Sequence, residues 1–459
     1  MKKILYLLIL PLLIIGCGTN SSSTSSEKAS VSTNSTNNDP KPKPSSSTGQ
    51  KPSIEKLEGH IYDEQDLINI KNDLAGTYYL ANDIFVNNEW TTIGDKDNPF
   101  TGTIEGNGYT IRNLKISKSL SMTEEPSSLG RDFISTGGFI GYLKGTINNL
   151  NVQHHYSIED QLPSINNFNS NTTEYKVFVG GIVGINNGTI SNCVSDGTVH
   201  VSSTSLIGRG RLGGLVGKNE GIIINCESKG MISGKFTHEN IRAGGLVGAS
   251  EGGTISISSS SANIEITNQN GKAIAGGLVG LVQFSEITNC YATGSVGTKS
   301  NRASTAGGLI GLIDAMVAGT TKVGYCYATG ELSATATEKS SYAGGLVGNC
   351  EVLISGNKLV GDVIIENCMY AGGKMTSRGT YKAHGGAIIS CIEGNTSSLT
   401  ISLSNCSYLK TVNILVNGTA DSKTNSQGKG YSSISEVISA ISWDSNIWKI
   451  EGSNLPIFK

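Results

Sequence analysis

The chain has no surplus of either charge: 35 Lys and Arg stand against 37 Asp and Glu in 459 residues. A near-neutral sequence without a basic stripe argues against nucleic acid as a partner. Beyond its first residues it has no run of 18 apolar residues, so a second membrane segment is not expected. Its cysteines include no C-x-x-C pair, which removes the usual zinc knuckle. Throughout most of the sequence the apolar runs are only four to six residues long and are broken by Gly and Asn, so they have neither the length nor the period of a helix.

Familiar catalytic signatures are each short of a residue. His238-Glu239-Asn240-Ile241-Arg242 begins like a zinc-protease helix but ends in Arg, so the second His ligand is missing. Gly208-Arg209-Gly210-Arg211-Leu212-Gly213 matches G-x-G-x-x-G but leads into a strand-like run, leaving no helix N-terminus for a pyrophosphate. A P-loop at Gly217-Lys218 fails because Leu212 and Asn219 occupy positions that require Gly and Ser or Thr. Asp95, Asp97 and Asn98 suggest calcium, but Pro99 breaks the EF-hand pattern and a solvated turn accounts for them. Glu220, Glu251, Glu286, Asp314 and Glu366 read as scattered over different offsets, so no column of carboxylates for polysaccharide cleavage is expected. Arg211 and Arg242 share an offset and read as an exposed pair. No cofactor and no metal site follow from these residues.

What the chain does have is repetition. Ala243-Gly244-Gly245-Leu246-Val247-Gly248 returns in near-copies at Gly137, Gly180, Gly213, Gly276, Gly307, Gly344 and Gly385, spaced 31 to 43 residues apart. Periods of this size signal stacked supersecondary units. Three short β-type runs fit within a period, as in Gly213 to Gly217, Ile223 to Cys226 and Gly230 to Ile232. Stacking such coils at about 4.8 Å aligns equivalent residues into columns. One runs Ile182, Leu215, Leu246, Leu278, Leu309, Leu346, and beside it another runs Val183, Val216, Val247, Val279, Ile310, Val347. Adjacent residues cannot both face inward in a flat strand, so either the chain bends there or one column is covered from outside.

Later in each repeat, Asn192, Asn225, Asn289, Asn367 and Asn405 stand directly before Cys193, Cys226, Cys290, Cys368 and Cys406. Asn accepts left-handed backbone and its amides stack between layers. A buried cysteine column is one reading and disulfides are the other, Cys350 with Cys391 being the strongest bridge candidates. Gly-Gly-Leu-Val-Gly followed by Asn289-Cys290-Tyr291-Ala292-Thr293-Gly294 resembles the GLUG-motif proteins. That resemblance extends over roughly residues 76 to 459. It implies a β-helical, adhesin-like surface protein and assigns no catalytic residue, although some members are immunoglobulin A peptidases. The copy at Gly385 departs from the motif by lacking the last Gly, and the copy at Gly244 has Ile257-Ser258 in place of Asn-Cys.

At the front, Lys2 and Lys3 precede an apolar run, Ile4 to Ile15, that is too short to span a bilayer, followed by Gly16-Cys17. This resembles a bacterial lipobox, with residues 1–16 as signal peptide and Cys17 as the lipidated residue anchoring the protein to a membrane, outer or cell-surface, since Gly18 stands where an inner-membrane retention Asp would. Residues 17–53, rich in Ser, Pro and Lys, have too little apolar side chain to fold and form a tether. Residues 54–116 are expected to hold a cap and first coil, with Asp63 starting a helix stapled by Ile61 and Leu67. Residues 117–430 form the repeats and 431–459 a second cap, in which Ser433 to Ile441 form a helix and Trp443, Trp448, Leu455 and Phe458 cover the last coil.

The expected fold is all-β, a right-handed parallel β-helix with short helical caps. The expected role is a lipid-anchored surface scaffold for adhesion, with a glycan or surface protein as ligand, and no enzyme. A β-helical polysaccharide lyase or hydrolase and a purely structural envelope protein are the alternatives. Candidate ligand contacts are Tyr291 and Tyr327, expected to stack outward, with Tyr370 in the next coil; mutual stabilisation of the rings is the plainer reading. The polar inserts Ser117 to Ser135 and His154 to Lys176 are the second choice.

Overall fold

A computed structural model describes residues 56–117, 120–127, 130–159, 172–203, 208–237, 240–316, 318–352, 361–393, 401–420 and 428–459. Cys17, the tether and the His238-Glu239 pair lie outside the described residues. Within them the chain is a parallel β-solenoid in which strands pair almost entirely with their counterparts one coil away. One coil shows the plan: Gly208–Gly213 lies in a nine-stranded sheet, Val216–Asn219 in an eight-stranded sheet, Ile222–Ile224 in an eleven-stranded sheet, and Glu227–Phe236 on a fourth face. The coil therefore has four faces where three runs were expected, the extra one being the run that ends in the glycine pair, and in later coils the fourth face is split into two short strands, as at Tyr291–Ala292 and Val296–Ser300.

The bend reading explains the double aliphatic column. Leu246 and Val247 are both fully buried, because the chain turns a corner between strands Ile241–Gly244 and Val247–Glu251. Glycine is required there for space. A Cβ on Gly244 would lie 1.9 Å from the Val247 carbonyl oxygen, and one on Gly245 would lie 2.1 Å from that of Gly277 in the next coil. The departure at Gly385 is a one-residue shift: Gly386 pairs with Gly344, so Ala387 occupies the second-glycine position and Ser390 replaces the last glycine.

Left-handed asparagines turn the corner from the eleven-stranded sheet to the fourth face. Asn192, Asn225, Asn289, Asn367 and Asn405 have φ of 50 to 55°. Asn225 Nδ2 donates to Asn192 Oδ1 at 2.7 Å, and Asn405 to Asn367 at 2.7 Å. Ile257 and Tyr325 adopt the same backbone without an amide and interrupt the ladder on either side of Asn289. Beside it, Cys193, Cys226, Cys290, Cys326, Cys368 and Cys406 are buried free thiols. Cys350 and Cys391 are also free, with Ile392 rather than Cys391 in register with Cys350.

At the front, α1 (Glu64–Asn69) starts on Asp63, whose carboxylate accepts from the Asp66 N–H, and Ile61 and Leu67 are both buried in the main core. The insert 117–135 forms a hairpin, Ser121–Ser127 against Gly130–Gly137, that adds an antiparallel edge to the nine-stranded sheet. Of His154 to Lys176, residues 160–171 lie outside the described residues, and the flanking parts are strand: Asn151–Glu159 pairs in register with the next coil, as does Thr172–Gly180 from Tyr175 onward. His154 is buried, its Nε2 2.9 Å from Ser195 Oγ, and burial lowers its pKa to about 4.

Candidate functional site

Because the glycine corner is sharp, the outer faces of the nine- and eight-stranded sheets turn toward each other and form a re-entrant groove along the solenoid. Its floor is apolar. Ile134, Tyr142, Phe178 and Ile185 form one buried patch, and Ala249, Ile274, Leu281 and Leu312 form another.

One wall carries the column of carboxylates that the sequence had seemed to lack. Glu220, Glu251, Asp314 and Glu351 each stand seven residues after the first glycine of their repeat, and Glu393 stands seven after Gly386. Asp314 pairs in register with Glu351, and Glu351 with Glu393. Counting from the glycine pair would have found the first four; Glu286 and Glu366, on the eleven-stranded sheet, obscured them.

The column is engaged by neighbouring side chains. Glu251 lies 3.4 Å from Arg211 Nη2 and 3.0 Å from Lys218 Nζ, Glu351 accepts from Lys272 at 2.9 Å, and Asp314 accepts from Gln283 at 2.7 Å. Glu393 accepts from Asn349 at 3.1 Å and from the Tyr342 hydroxyl, whose ring stacks on His384. Burial alone would raise the Glu251 carboxyl, but the charges of Arg211 and Lys218 outweigh it and hold its pKa below the ordinary value. A general acid needs the opposite shift. Asp95 is likewise committed, accepting the Asn98 N–H at 2.8 Å within its own turn. Among the described residues no cluster of His, Cys, Asp or Glu is arranged to hold a metal ion.

Arg211 and Arg242 are a correction. They pair in register on the basic wall, and Arg211 is only 2% exposed, because the re-entrant corner encloses positions that a convex face would leave in solvent. Burial first, and then the charge of Arg242, bring the Arg211 pKa down to about 9. Arg211 Nε and Arg242 Nε and Nη1 are buried without a protein acceptor.

The tyrosine column is the second correction. Tyr291 and Tyr327 do stack, with centroids 4.9 Å apart and planes 4° from parallel, but the C-terminal segment covers them. Trp448 lies 5.9 Å from the Tyr327 ring and Phe458 5.0 Å from that of Tyr291, and the Tyr327 hydroxyl donates to the Pro456 carbonyl at 2.7 Å. Tyr370 faces the interior. Its hydroxyl donates to the Gly330 carbonyl, and Met369, not Tyr370, pairs with Tyr327. A one-residue offset in a strand exchanges the faces. Only Tyr291 keeps an open edge, in a hollow of about 570 Å³ shared with Asn192, Asn225 and Phe458.

The helix of the C-terminal cap is where the sequence placed it, α2 (Ile434–Ser439), with Ser433 accepting from the Glu436 N–H. Rather than closing only the last coil, the segment runs back along the side of the solenoid, where Trp448 Nε1 donates to Asn289 Oδ1 at 3.0 Å. Asn289 is the asparagine whose neighbours Ile257 and Tyr325 cannot supply an amide partner.

Comparison with known proteins finds no match among curated sequences. Matches among solved structures include the following two. A Bacteroides ovatus crystal structure provisionally named an immunoglobulin A1 protease has 17% identity and a TM-score of 0.36, covering 87% of this chain and 91% of that one. A chain named IgA1 protease has 16% identity and a TM-score of 0.38, covering 86% of this chain and 25% of that one. The family model of the GLUG motif matches residues 273–297, the repeat holding Gly276-Gly277-Leu278-Val279-Gly280 and Asn289-Cys290. With that unit returning coil after coil in register, the chain is a GLUG-motif repeat protein.

Proposed function

We propose that this protein is a non-catalytic interaction scaffold, held at a membrane by lipid on Cys17 and displayed outside the cytoplasm at the outer membrane or cell surface. The observation that carries the reading is the state of the carboxylate column, whose described members are tied to side chains across or along the groove and act as braces between coils. No helix among the described residues is long and apolar enough to cross a membrane.

The column itself favours a second reading, a polysaccharide-cleaving enzyme, with Glu393 beside Tyr342 and His384 as its centre. Incubating the protein with uronic-acid polymers separates the two. A scaffold yields no new unsaturated or reducing ends, whereas an activity lost in Glu393→Gln establishes the enzyme. The anchor has its own test. Cys17→Ser is expected to abolish palmitate labelling and release the protein from membranes or leave it unprocessed; labelling as strong as the parent's refutes lipidation at this thiol.

A further inference from the structure

The basic wall of the groove ends in a rim where the chain turns from the fourth face into the nine-stranded sheet. At the register position of Lys176 and Arg209, four residues before the first glycine, later coils place Lys272, Ala303, Ser340 and Lys382. Where Ala303 and Ser340 interrupt the cations, the preceding residues are Arg302 and Lys339. From Lys272 onward this substitution of neighbour for neighbour keeps one cation per coil at the edge, so the charge is concentrated in space although the chain as a whole is near neutral.

Lys176 and Arg209 are neutralised by Asp132 and Glu174, and Lys272 reaches Glu351. Arg302 and Lys339 are exposed and make no ion pair among the described residues. With Lys272, Asn240 and Asn270 they line a cavity of about 530 Å³ in which no carboxylate stands among the described lining residues. Among the described residues Glu338 is an acid in the adjoining turn. One coil further, the Tyr381 N–H donates to the Lys339 carbonyl at 3.1 Å, and the Tyr381 ring is 72% exposed with the Lys382 ammonium 5.3 Å from its centroid. At the other end, Arg242 follows Asn240 by two residues, and it has the buried donors that find no acceptor.

We propose that this rim binds an anionic glycan, one bearing uronate or sulfate groups, an assignment that rests on the scaffold reading and gives it a ligand class. Unpaired cations at successive coils meet the acid groups, the two asparagine amides suit sugar hydroxyls, and an exposed tyrosine offers a flat face to a pyranose ring. A repeating acidic polymer laid along the solenoid would meet the same elements coil after coil, which multiplies weak contacts.

The test uses the full chain, purified in detergent, with immobilised polygalacturonate and a sulfated polysaccharide as probes and dextran as the neutral control. The expected result is salt-sensitive binding to an acidic polymer, none to dextran, and a loss of about tenfold or more in Arg302→Ala with Lys339→Ala. Lys339→Arg should retain binding, and the far-ultraviolet spectrum of the double variant should match the parent's. If that spectrum is lost, Lys339→Gln decides in its place. The proposal falls if neither acidic polymer binds, if the variants bind as the parent does, or if duplex DNA or phosphatidylglycerol vesicles bind as tightly as the polymers. Binding to dextran or to cells that ignores the rim variants overturns this assignment and leaves the scaffold reading standing. Cleavage of the polymer overturns the scaffold reading itself.

Discussion

Leu246→Asp leaves the chain without its β-rich far-ultraviolet spectrum at neutral pH. Leu246 is fully buried, and its backbone is bonded on both sides to Leu215 and Leu278 of the adjoining coils. No cation lies within the aliphatic column, so a carboxylate there is an unpaired buried charge costing several kcal/mol even after relaxation. Leu246→Ala removes only apolar contacts and should cost about 2 to 5 kcal/mol, leaving a folded but weaker protein. Thermal melting followed by circular dichroism distinguishes them. An Asp variant that melts within a few degrees of the parent would show that the interior is not dry.

Trp448→Ala is expected to detach the C-terminal segment while the coils persist. The indole packs on Tyr327 and Phe458 and donates to Asn289, so truncation removes a buried aromatic and leaves an amide oxygen without its donor. Loss of such a side chain costs about 3 to 5 kcal/mol, and it loosens the stretch beyond α2, whose remaining ties to the tyrosines are Phe458 and the Pro456 carbonyl. Limited proteolysis should cut the variant between residues 428 and 459 while protecting the repeats, and a hydrophobic dye should bind the uncovered Tyr291 and Tyr327. Unchanged protection of the C-terminus would mean that the segment is held elsewhere.

Much of this architecture is legible in the amino-acid sequence, because a solenoid writes its contacts into the period. Leu246 is buried for the same reason as Leu215 and Leu278, and six of the cysteines form an inner column because each stands directly after the left-handed residue of its corner. Two kinds of information are not legible. One is the sign of a corner: the glycine pair announces a bend, but only its re-entrant geometry encloses Arg211 and turns Glu251 into its partner. The other is contact between segments that share no period. Tyr291 and Tyr327 look outward from their own repeat, and nothing in that repeat says that residues 443 to 458 will lie over them. The carboxylate column and the basic rim are a different case. Both can be counted from the glycines, provided that a neighbour such as Arg302 is allowed to stand in for the aligned residue.

The return of the C-terminal segment also orders events during synthesis. Almost every strand pairs with one only a coil away, 31 to 43 residues distant along the repeats, so coils can add to one another as the chain emerges from the ribosome. Trp448 to Asn289 spans 159 residues and Tyr327 to Pro456 spans 129. Those contacts must form last, after every coil is in place, and until then the paired tyrosines remain open to solvent or to a chaperone. A stop codon in place of Trp448 would therefore leave the stack of coils complete and remove Trp448, Pro456 and Phe458 from over its paired tyrosines.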